Sequence, residues 1–225
     1  MAYVVSEYRK RVHDLFRNGR LKTYPKNQLI HYAGDNLSHI YLIRDGSVKV
    51  YTILDSGDTR TLLILASGDI FPIAFATTLD WENYSLKYFY QALTDTQLQV
   101  IESQDFKSAI ESDTEKLNTY LAYTSASNQA IMGQLEVMKQ KKAISRIMLL
   151  LPYLIRKLGA QIKPHVYQLK IKVSHQELAD LSGVTRETTT TLIKKLEKQG
   201  TLEQKEGKLI IYTKKPRAKA RRKSK

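Results

Sequence analysis

The first half of the chain alternates short apolar stretches with turn signals. Across residues 29–73, stretches rich in Ile, Val, Leu and Tyr are separated by glycines at positions 34, 46, 57 and 68, spaced 12, 11 and 11 residues apart. Short strands with a turn signal about every 8–12 residues are typical of an antiparallel barrel or roll. A further strand pair is predicted within residues 84–103. The pattern therefore predicts an all-β module.

The pattern changes to a helical one after Gln104. A short helix is predicted first, and then residues 113–140 contain no proline and one glycine, with candidate seam positions at alternating intervals of four and three. These positions are Leu117, Leu121, Thr124, Asn128, Ile131, Leu135 and Met138. This spacing is that of an a/d seam, in which a polar Asn commonly fixes register. We expect a dimerisation helix, with the alternative that it packs only on its own domain. Tyr120 and Tyr123 flank the seam and are expected to contact the β module.

A second amphipathic helix is predicted next, and it contains a proline. Its apolar face consists of Ile144, Ile147, Met148, Leu151, Ile155 and Leu158. Because proline removes one backbone hydrogen bond, we expect Pro152 to kink or divide this helix. Gly159 is predicted to end it, and residues 166–173 then alternate in the manner of one strand.

Residues 174–199 carry the start and stop signals of two short helices. Ser174 and Glu177 have the spacing of a capping box, which predicts a helix start. Gly183 supplies a turn, and Thr185 is placed to cap a second helix over residues 186–199. Two short helices joined by a glycine turn predict a helix-turn-helix. The alternation around Glu206 and Gly207 predicts a wing hairpin.

The second of these helices contains four consecutive threonines, residues 188–191, although branching at Cβ lowers helix propensity. At about 100° per residue, Thr189 falls on the apolar face, whereas Thr190 and Thr191 point outward with a methyl and a hydroxyl. A major groove offers thymine methyls and phosphate oxygens to such groups, guanine to Arg186 and cytosine N4 to Glu187. An alternative role for Glu187 is a salt bridge with Arg186 or Lys194. The predicted DNA-contacting residues are Ser174, His175, Gln176, Thr185, Arg186, Glu187, Thr190, Thr191 and Lys194.

The net charge favours a polyanionic partner. The chain carries a formal +14 with a sequence pI near 9.7, which indicates nucleic acid, and double-stranded DNA given the helix-turn-helix. Residues 214–225 hold eight positive charges and no negative one, a composition that predicts a disordered basic tail. A solubilising end is the alternative for this tail. A second hypothesis for the whole protein is a sequence-indifferent, nucleoid-like binder that uses the tail.

Several function classes are disfavoured. The chain has no cysteine, which excludes disulfides, thiolate metal sites and iron–sulfur clusters. It has no apolar run near the roughly 20 residues of a membrane span and no signal-peptide core, so we expect a cytoplasmic protein without a membrane partner. P-loop, HExxH, GxSxG and dinucleotide motifs are missing, and we expect neither an enzyme nor a cofactor. Its scattered histidines do not form a metal or haem pattern, although stoichiometric metal in purified protein would revive an enzymatic β-barrel.

The glycine-punctuated β module, the long helix and the stretch VSHQELADLSGVTRETTTTLIKKLEKQGTLEQKEGKLIIY resemble the cyclic-AMP receptor protein / fumarate-nitrate regulator (CRP/FNR) family of bacterial transcription factors. The resemblance covers roughly residues 20–213. It implies a homodimer that binds a pseudo-palindromic operator and contacts RNA polymerase. Arg186 and Glu187 match the recognition helix of the cyclic-AMP receptor type, and Thr191 stands where that type has a second Arg. We therefore expect a related but different operator.

The resulting prediction is an α+β protein in four parts. Residues 1–112 form a β-roll sensor domain like a cyclic-nucleotide-binding jelly roll, and residues 113–140 form the dimerisation helix. Residues 141–213 form a winged helix-turn-helix domain, and residues 214–225 form the tail. A hinge is expected near residues 140–142.

The effector site departs from the family pattern. Nucleotide-binding members have Gly-Glu after the Gly-Asp turn, where this chain has Pro72 and Ile73, and Leu86-Lys87-Tyr88 lie where those members have Arg-Ser/Thr-Ala. A buried cyclic phosphate without its arginine would be an unpaired charge. The resemblance thus predicts an effector other than cyclic AMP, or none, with aromatic side chains either lining a pocket or filling the roll. The candidate pocket residues are Phe71, Ile73, Lys87, Tyr88, Tyr90, Asn128 and Gln129.

Overall fold

The computed structural model describes residues 11–72 and 85–214. The predicted pocket residue Ile73 and residues 215–225 of the predicted tail lie outside the described residues. The chain divides into two compact units, Met1–Leu135 and Glu136–Lys225.

Two antiparallel sheets make up most of the N-terminal unit. Their strands are β1 (Arg20–Tyr24), β2 (Leu29–His31), β3 (His39–Asp45), β4 (Ser47–Ile53), β5 (Thr59–Ala66), β6 (Ile70–Phe71), β7 (Phe89–Ala92) and β8 (Thr96–Glu102). One sheet has the strand order β1-β8-β3-β6 and the other has the order β2-β7-β4-β5. The predicted β module and its late strand pair are confirmed.

The turn between β3 and β4 shows why a glycine is needed there. Gly46 has a φ of 87°, and a Cβ at this position would lie 2.5 Å from the Asp95 carbonyl oxygen. Any other residue would be strained in its backbone and would clash with its neighbour. The regular glycine spacing in the sequence therefore marks real constraints on the roll.

Strand β3 is buried on both of its faces and divides the core of the N-terminal unit into two clusters. Ile40 and Leu42 belong to a cluster that includes helical residues, whereas Tyr41 and Ile43 belong to the interior of the roll. Successive side chains of a strand point to opposite faces, so one strand serves both clusters. This explains why β3 reads as a nearly continuous apolar run instead of a polar–apolar alternation.

Two helices follow the sheets, α1 (Ser103–Glu111) and α2 (Thr114–Lys139). The Tyr123 hydroxyl accepts from the Ile70 backbone N–H at 2.7 Å and donates to the Ile70 carbonyl at 3.1 Å. The Tyr120 ring meets the Phe106 ring edge-on, with centroids 5.5 Å apart. The expected contact with the β module is confirmed for Tyr123, which binds Ile70 of β6, and Tyr120 belongs to the same apolar cluster as Ile40 and Leu42 of β3.

Helix α2 has a second stripe that the described chain buries only in part. Leu121, Leu135 and Met138 are 46%, 48% and 38% exposed and Asn128 is exposed, whereas Leu117, Thr124 and Ile131 are half-buried. The buried residues of α2 are Thr119, Tyr120, Tyr123, Gln134 and Val137. The helix thus packs within the chain through the tyrosine stripe, and no position of the predicted seam is fully buried.

The C-terminal unit combines three helices with a small sheet. Its helices are α3 (Ala143–Leu158), α4 (His175–Ser182) and α5 (Arg186–Lys198), and its strands are β9 (Gly159–Lys163), β10 (Val166–Leu169), β11 (Leu202–Lys205) and β12 (Lys208–Tyr212). The sheet order is β11-β12-β10-β9. A winged helix-turn-helix at the C-terminus is confirmed.

Two local details of this unit differ from the predictions. Helix α3 continues through Pro152, so the division offered as one of the two outcomes of this proline does not occur; Pro152 lies on the exposed side, and buried residues before and after it hold the helix in place. The strand predicted over residues 166–173 ends at Leu169. Leu169 pairs with Gly159, the first residue of β9, so the strand ends where its neighbour begins.

Replacing Tyr123 with Phe tests the anchor between α2 and the roll. Removal of the hydroxyl leaves the Ile70 N–H and C=O without this partner in a buried site, so we expect a loss of about 1–3 kcal/mol of unfolding free energy. Denaturant unfolding followed by fluorescence of Trp81, the only tryptophan, measures the change. The matched control is Tyr32→Phe, which alters a tyrosine that is 60% exposed and should change stability by less than about 0.5 kcal/mol. Equal effects of the two substitutions would contradict the anchor.

Candidate nucleic-acid interface

The first helix of the motif begins at a complete capping box. Ser174 Oγ accepts from the Glu177 N–H at 3.1 Å, and Glu177 Oε2 accepts from the Ser174 N–H at 2.7 Å. The helix ends at Gly183, whose φ of 63° is left-handed and whose N–H reaches the carbonyls of Ala179 and Asp180. Both ends of α4 are therefore specified locally, as the sequence predicts.

Helix α5 buries one narrow stripe and exposes the opposite face. Thr189, Ile193 and Leu196 are buried. The side chains of Arg186, Glu187, Thr191 and Lys194 are exposed. A helix of about 10–12 Å in diameter fits a major groove about 12 Å wide, and these exposed side chains are the ones that could reach base edges.

The four consecutive threonines have three different roles. Thr185 Oγ1, the helix cap, accepts from the Thr188 N–H at 3.2 Å and donates to Thr188 Oγ1 at 3.0 Å. Thr189 is fully buried, and its hydroxyl has no hydrogen-bond partner in the described part of the chain. The hydroxyls of Thr190 and Thr191 donate to the carbonyls four residues earlier, Arg186 at 2.9 Å and Glu187 at 3.1 Å. The hydroxyl protons of the two outward threonines are thus used within the helix.

The Glu187 carboxylate makes no ion pair or hydrogen bond with any residue that the structure describes. The neighbouring Arg186 and Lys194 side chains likewise make none with the described chain. The salt-bridge alternative for Glu187 is therefore absent from the described structure. The Arg186 guanidinium and the neighbouring Glu187 carboxylate are both exposed to solvent. Their hydrogen-bond donors and acceptors are therefore available for contacts with base edges.

Four other predicted contact residues are engaged within the motif. The side chains of Ser174 and Thr185 serve as helix caps, and the Gln176 amide donates to Asp180 Oδ1 at 2.8 Å. Both ring nitrogens of His175 have partners, Thr190 Oγ1 at 2.9 Å and Gln204 Nε2 at 2.8 Å. The structure therefore separates the predicted set into outward side chains and side chains that support the motif.

The wing brings lysines together that sequence reasoning did not single out. Glu206 and Gly207 have φ values of 53° and 77°, as a type I′ hairpin turn requires. Lys205 and Lys208 are paired across this hairpin, and a Cβ on Gly207 would lie 3.0 Å from Lys172 Cε. Three ammonium groups at a hairpin tip suit phosphate contacts. The composition gives little signal for this cluster, because residues 170–208 hold eight lysines and arginines against six aspartates and glutamates.

Arg146 connects the start of α3 to the turn of the helix-turn-helix. Its Nε donates to the Gln140 carbonyl at 2.7 Å, and its Nη1 donates to the Gly183 carbonyl at 2.8 Å. The sequence did carry a signal for this residue, because a cation in the first turn of a helix opposes the helix dipole and needs another partner. Arg146 thus links the segment between α2 and α3 to the Gly183 turn between α4 and α5 through two hydrogen bonds.

The candidate effector pocket is occupied by the chain's own aromatic rings. Tyr41 stacks on Phe71 with centroids 4.9 Å apart, and Phe71 stacks on Tyr90 at 5.3 Å. All three side chains are buried, and burial raises the pKa of the Tyr41 hydroxyl. His31 lies edge-on to Tyr41 at 5.2 Å. Burial lowers the pKa of His31, against the opposing effect of Asp35 at 3.5 Å, so the neutral ring is favoured.

The other candidate pocket residues do not share this environment. Lys87, Tyr88, Asn128 and Gln129 are exposed, whereas Leu86 is buried in the apolar cluster. Among residues 11–72 and 85–214 no lysine or arginine is buried, and residues 73–84 contain neither residue type. A cyclic phosphate needs a cation in such a site. The described residues of the roll supply no such buried cation, so they do not fit a cyclic phosphate.

Two further features bear on function. None of the helices in the described part of the chain has the length and apolarity needed to cross a bilayer. The described residues also include no grouping of three or more His, Asp or Glu side chains suited to a metal ion.

Two family models match the chain side by side. The cyclic nucleotide-binding domain matches residues 21–113, and the Crp-like helix-turn-helix domain matches residues 144–217. The chain belongs to the CRP/FNR family. The resemblance seen in the sequence is confirmed, and this CRP/FNR protein is a transcription regulator with a DNA-binding helix-turn-helix.

Relatives across the CRP/FNR family match most of the chain at low identity. The Global nitrogen regulator of Synechococcus elongatus is 26% identical over 196 residues, which is 87% of this chain and 83% of that protein. The Cyclic AMP receptor protein of Thermus thermophilus is 26% identical over 179 residues, or 80% and 77% of the two chains. The solved structure of FixK2 from Bradyrhizobium japonicum has a TM-score of 0.74 at 19% identity and covers 88% of this chain and 93% of that chain. The structural likeness supports the CRP/FNR fold.

Replacing Arg146 with Met tests the tie between α3 and the turn. The substitution keeps the apolar stem but removes two charge-assisted hydrogen bonds, so we expect the turn to open more easily, by about 2 kcal/mol. Hydrogen exchange of the Gly183 and Val184 amides measures this opening. Arg156→Met on the same helix is the control, because Arg156 only lies over the Tyr153 ring at 5.9 Å. Unchanged exchange in the Arg146 variant would contradict the tie.

Proposed function

We propose that this CRP/FNR protein binds a pseudo-palindromic operator as a homodimer and reads each half-site with helix α5. The observation that carries the proposal is the outward face of α5, where the exposed Arg186 and Glu187 side chains have no ion-pair or hydrogen-bond partner among the described residues and lie beside Thr191. Arg can bind guanine in bidentate fashion, Glu can accept from cytosine N4, and a threonine methyl can contact a thymine methyl. A sequence-indifferent binder would gain nothing from a carboxylate at this position, because phosphates repel it.

The seam of α2, where no position is fully buried, supports the homodimer. Leu121, Leu135 and Met138 lie at heptad spacing and are exposed in one copy of the chain. Covering them with the same stripe of a second copy would remove this apolar surface from water, and Asn128 would fix the register of the pair. Two copies related by a twofold axis would present their α5 helices to major grooves about 34 Å apart. A symmetric dimer therefore matches a pseudo-palindromic site.

We further propose that control of this dimer does not use cyclic AMP. The stacked Tyr41, Phe71 and Tyr90 rings, and the lack of a buried lysine or arginine among the described residues, support an effector of a different kind, or none. An effector that binds one arrangement of the dimer better than another would shift the population of DNA-binding states. RNA polymerase is the proposed second partner on DNA, because relatives such as the cAMP-activated global transcriptional regulator of Haemophilus influenzae act in transcription.

Selection of bound duplexes from a random pool tests operator reading, with Glu187→Ala as the informative variant. The wild-type chain should enrich one half-site in two inverted copies. The Glu187 variant should lose preference at one base pair of each half-site, by about 1–3 kcal/mol of discrimination, because a base-edge acceptor is gone. Sequencing of the bound pool measures both results. Glu136→Ala serves as the control, since it also removes one exposed carboxylate from the C-terminal unit but lies outside α5. A uniform loss of preference or no enriched half-site would contradict the proposal.

A charge placed on the seam tests the homodimer. Leu121→Glu should convert the dimer to monomer at micromolar concentration, because two carboxylates would be buried opposite each other. Sedimentation equilibrium measures the change. Leu149→Glu is the matched control, since Leu149 on α3 is also 46% exposed but lies outside the seam. A wild-type chain that sediments as a monomer, or a Leu121 variant that stays dimeric, would exclude this interface.

A further inference from the structure

A chain of hydrogen bonds joins the wing to the recognition helix through one histidine. Gln204 on strand β11 places its amide nitrogen 2.8 Å from His175 Nε2. His175 Nδ1 lies 2.9 Å from Thr190 Oγ1. Thr190 Oγ1 in turn donates to the Arg186 carbonyl at 2.9 Å. The wing, the first residue of α4 and the first turn of α5 are therefore linked by side chains.

The Gln204 side-chain nitrogen fixes which group donates and which accepts in each of these hydrogen bonds. An amide nitrogen only donates, so His175 Nε2 must accept from Gln204. The neutral imidazole then carries its proton on Nδ1 and donates it to Thr190 Oγ1. Thr190 has its own proton in the bond to Arg186. Every donor in the series thus has an acceptor. Both ring nitrogens of His175 are used within the motif, so neither is available to bind a phosphate.

A second bond attaches the same wing residue to the other end of α5. The Gln204 backbone N–H donates to Glu197 Oε1 at 3.0 Å. The Gln204 side chain is therefore linked through His175 to the first half of α5, and the Gln204 backbone is linked to Glu197 near its end. The next residue, Lys205, pairs with Lys208 at the hairpin tip. Hydrogen bonds through Gln204 therefore connect the wing, which carries the lysines suited to phosphates, to helix α5, which carries the residues suited to bases.

We propose that His175 is a positioning residue that sets sequence discrimination by holding the wing and the recognition helix in one register. The inference rests on the proposed reading of DNA by α5. Hydrogen bonds to base edges depend on placement within about 0.5 Å, whereas charge–phosphate attraction tolerates larger displacements. Loss of the His175 links should therefore reduce binding to the operator more than binding to unrelated duplex.

This role differs in a measurable way from a direct phosphate contact by His175. Loss of a phosphate contact weakens binding to all sequences alike and reduces the slope of log affinity against log salt by about one. Loss of a positioning residue lowers the ratio of specific to non-specific affinity and leaves that slope unchanged. The two roles can be separated with the same titrations.

The histidine can be replaced so that one link is kept at a time. An Asn amide can take the place of Nδ1 and keep the bond to Thr190, whereas a Gln amide reaches the place of Nε2 and keeps the bond to Gln204. His175→Ala removes both. His165→Asn is the matched control, because His165 is an exposed histidine of the same unit at a left-handed turn position that Asn tolerates. Thermal unfolding of each variant checks that the unit is folded.

The measurement is the ratio of dissociation constants for the selected operator and a scrambled duplex, at several salt concentrations and with the full chain. We expect His175→Ala to lower discrimination about fivefold, His175→Asn and His175→Gln to lower it less, and His165→Asn to leave it unchanged. Gln204→Leu should lower discrimination in the wild-type background and have no further effect in the His175→Ala background, because its side chain acts through the imidazole.

Three outcomes would overturn the proposal. Unchanged discrimination in a folded His175→Ala variant would show that the links do not set specificity. Equal weakening on both duplexes with a lower salt slope would assign His175 to a phosphate instead. A wild-type chain with no preferred duplex would overturn the reading of DNA by α5 and this inference together, whereas the first two outcomes leave that reading intact.

Discussion

The C-terminal unit depends on burying one narrow stripe of helix α5. Thr189, Ile193 and Leu196 are the only side chains of this helix, within the described chain, that are fully removed from solvent, and their burial orients every other position. The Arg186, Glu187 and Thr191 side chains then face outward, with only the Thr191 hydroxyl hydrogen-bonded to the described chain. A wider apolar face would hold the helix more firmly but would cover the positions that are proposed to contact DNA. The motif therefore gains rigidity from hydrogen bonds around the helix instead.

Those hydrogen bonds come from residues that sequence reasoning had assigned to DNA. Ser174 and Thr185 cap the two helices, and His175 connects Thr190 to the wing. The four consecutive threonines fit this separation of supporting and outward side chains. Depending on its position around the helix axis, a threonine here is a cap partner, a core residue or a hydrogen-bonding link. Arg146 adds a charged tie to the turn at Gly183. The outward side chains can thus stay unpaired because their neighbours satisfy each other.

The N-terminal unit keeps the CRP/FNR roll but differs inside it. Tyr41, Phe71 and Tyr90 stack in the interior, and Leu86 occupies apolar core where relatives of the cyclic-AMP type are expected to place an arginine. Among the residues of the roll that the structure describes, no buried cation is available to neutralise a phosphate. This interior is consistent with the proposal of an effector other than cyclic AMP, or of none.

Local signals in the sequence determined the glycine turns of the roll, the capping box at Ser174, the turn at Gly183 and the type of both helices in the motif, because caps and turns depend on residues within one turn of each other. Only the tertiary structure decided the rest. Pro152 stays inside α3 since packing on both sides outweighs one lost hydrogen bond, and β10 stops at Leu169 because its neighbour begins there. The pairing of His175 with Gln204 joins residues 29 positions apart. No local pattern encodes such a contact, because it exists only when the wing has folded against the helices.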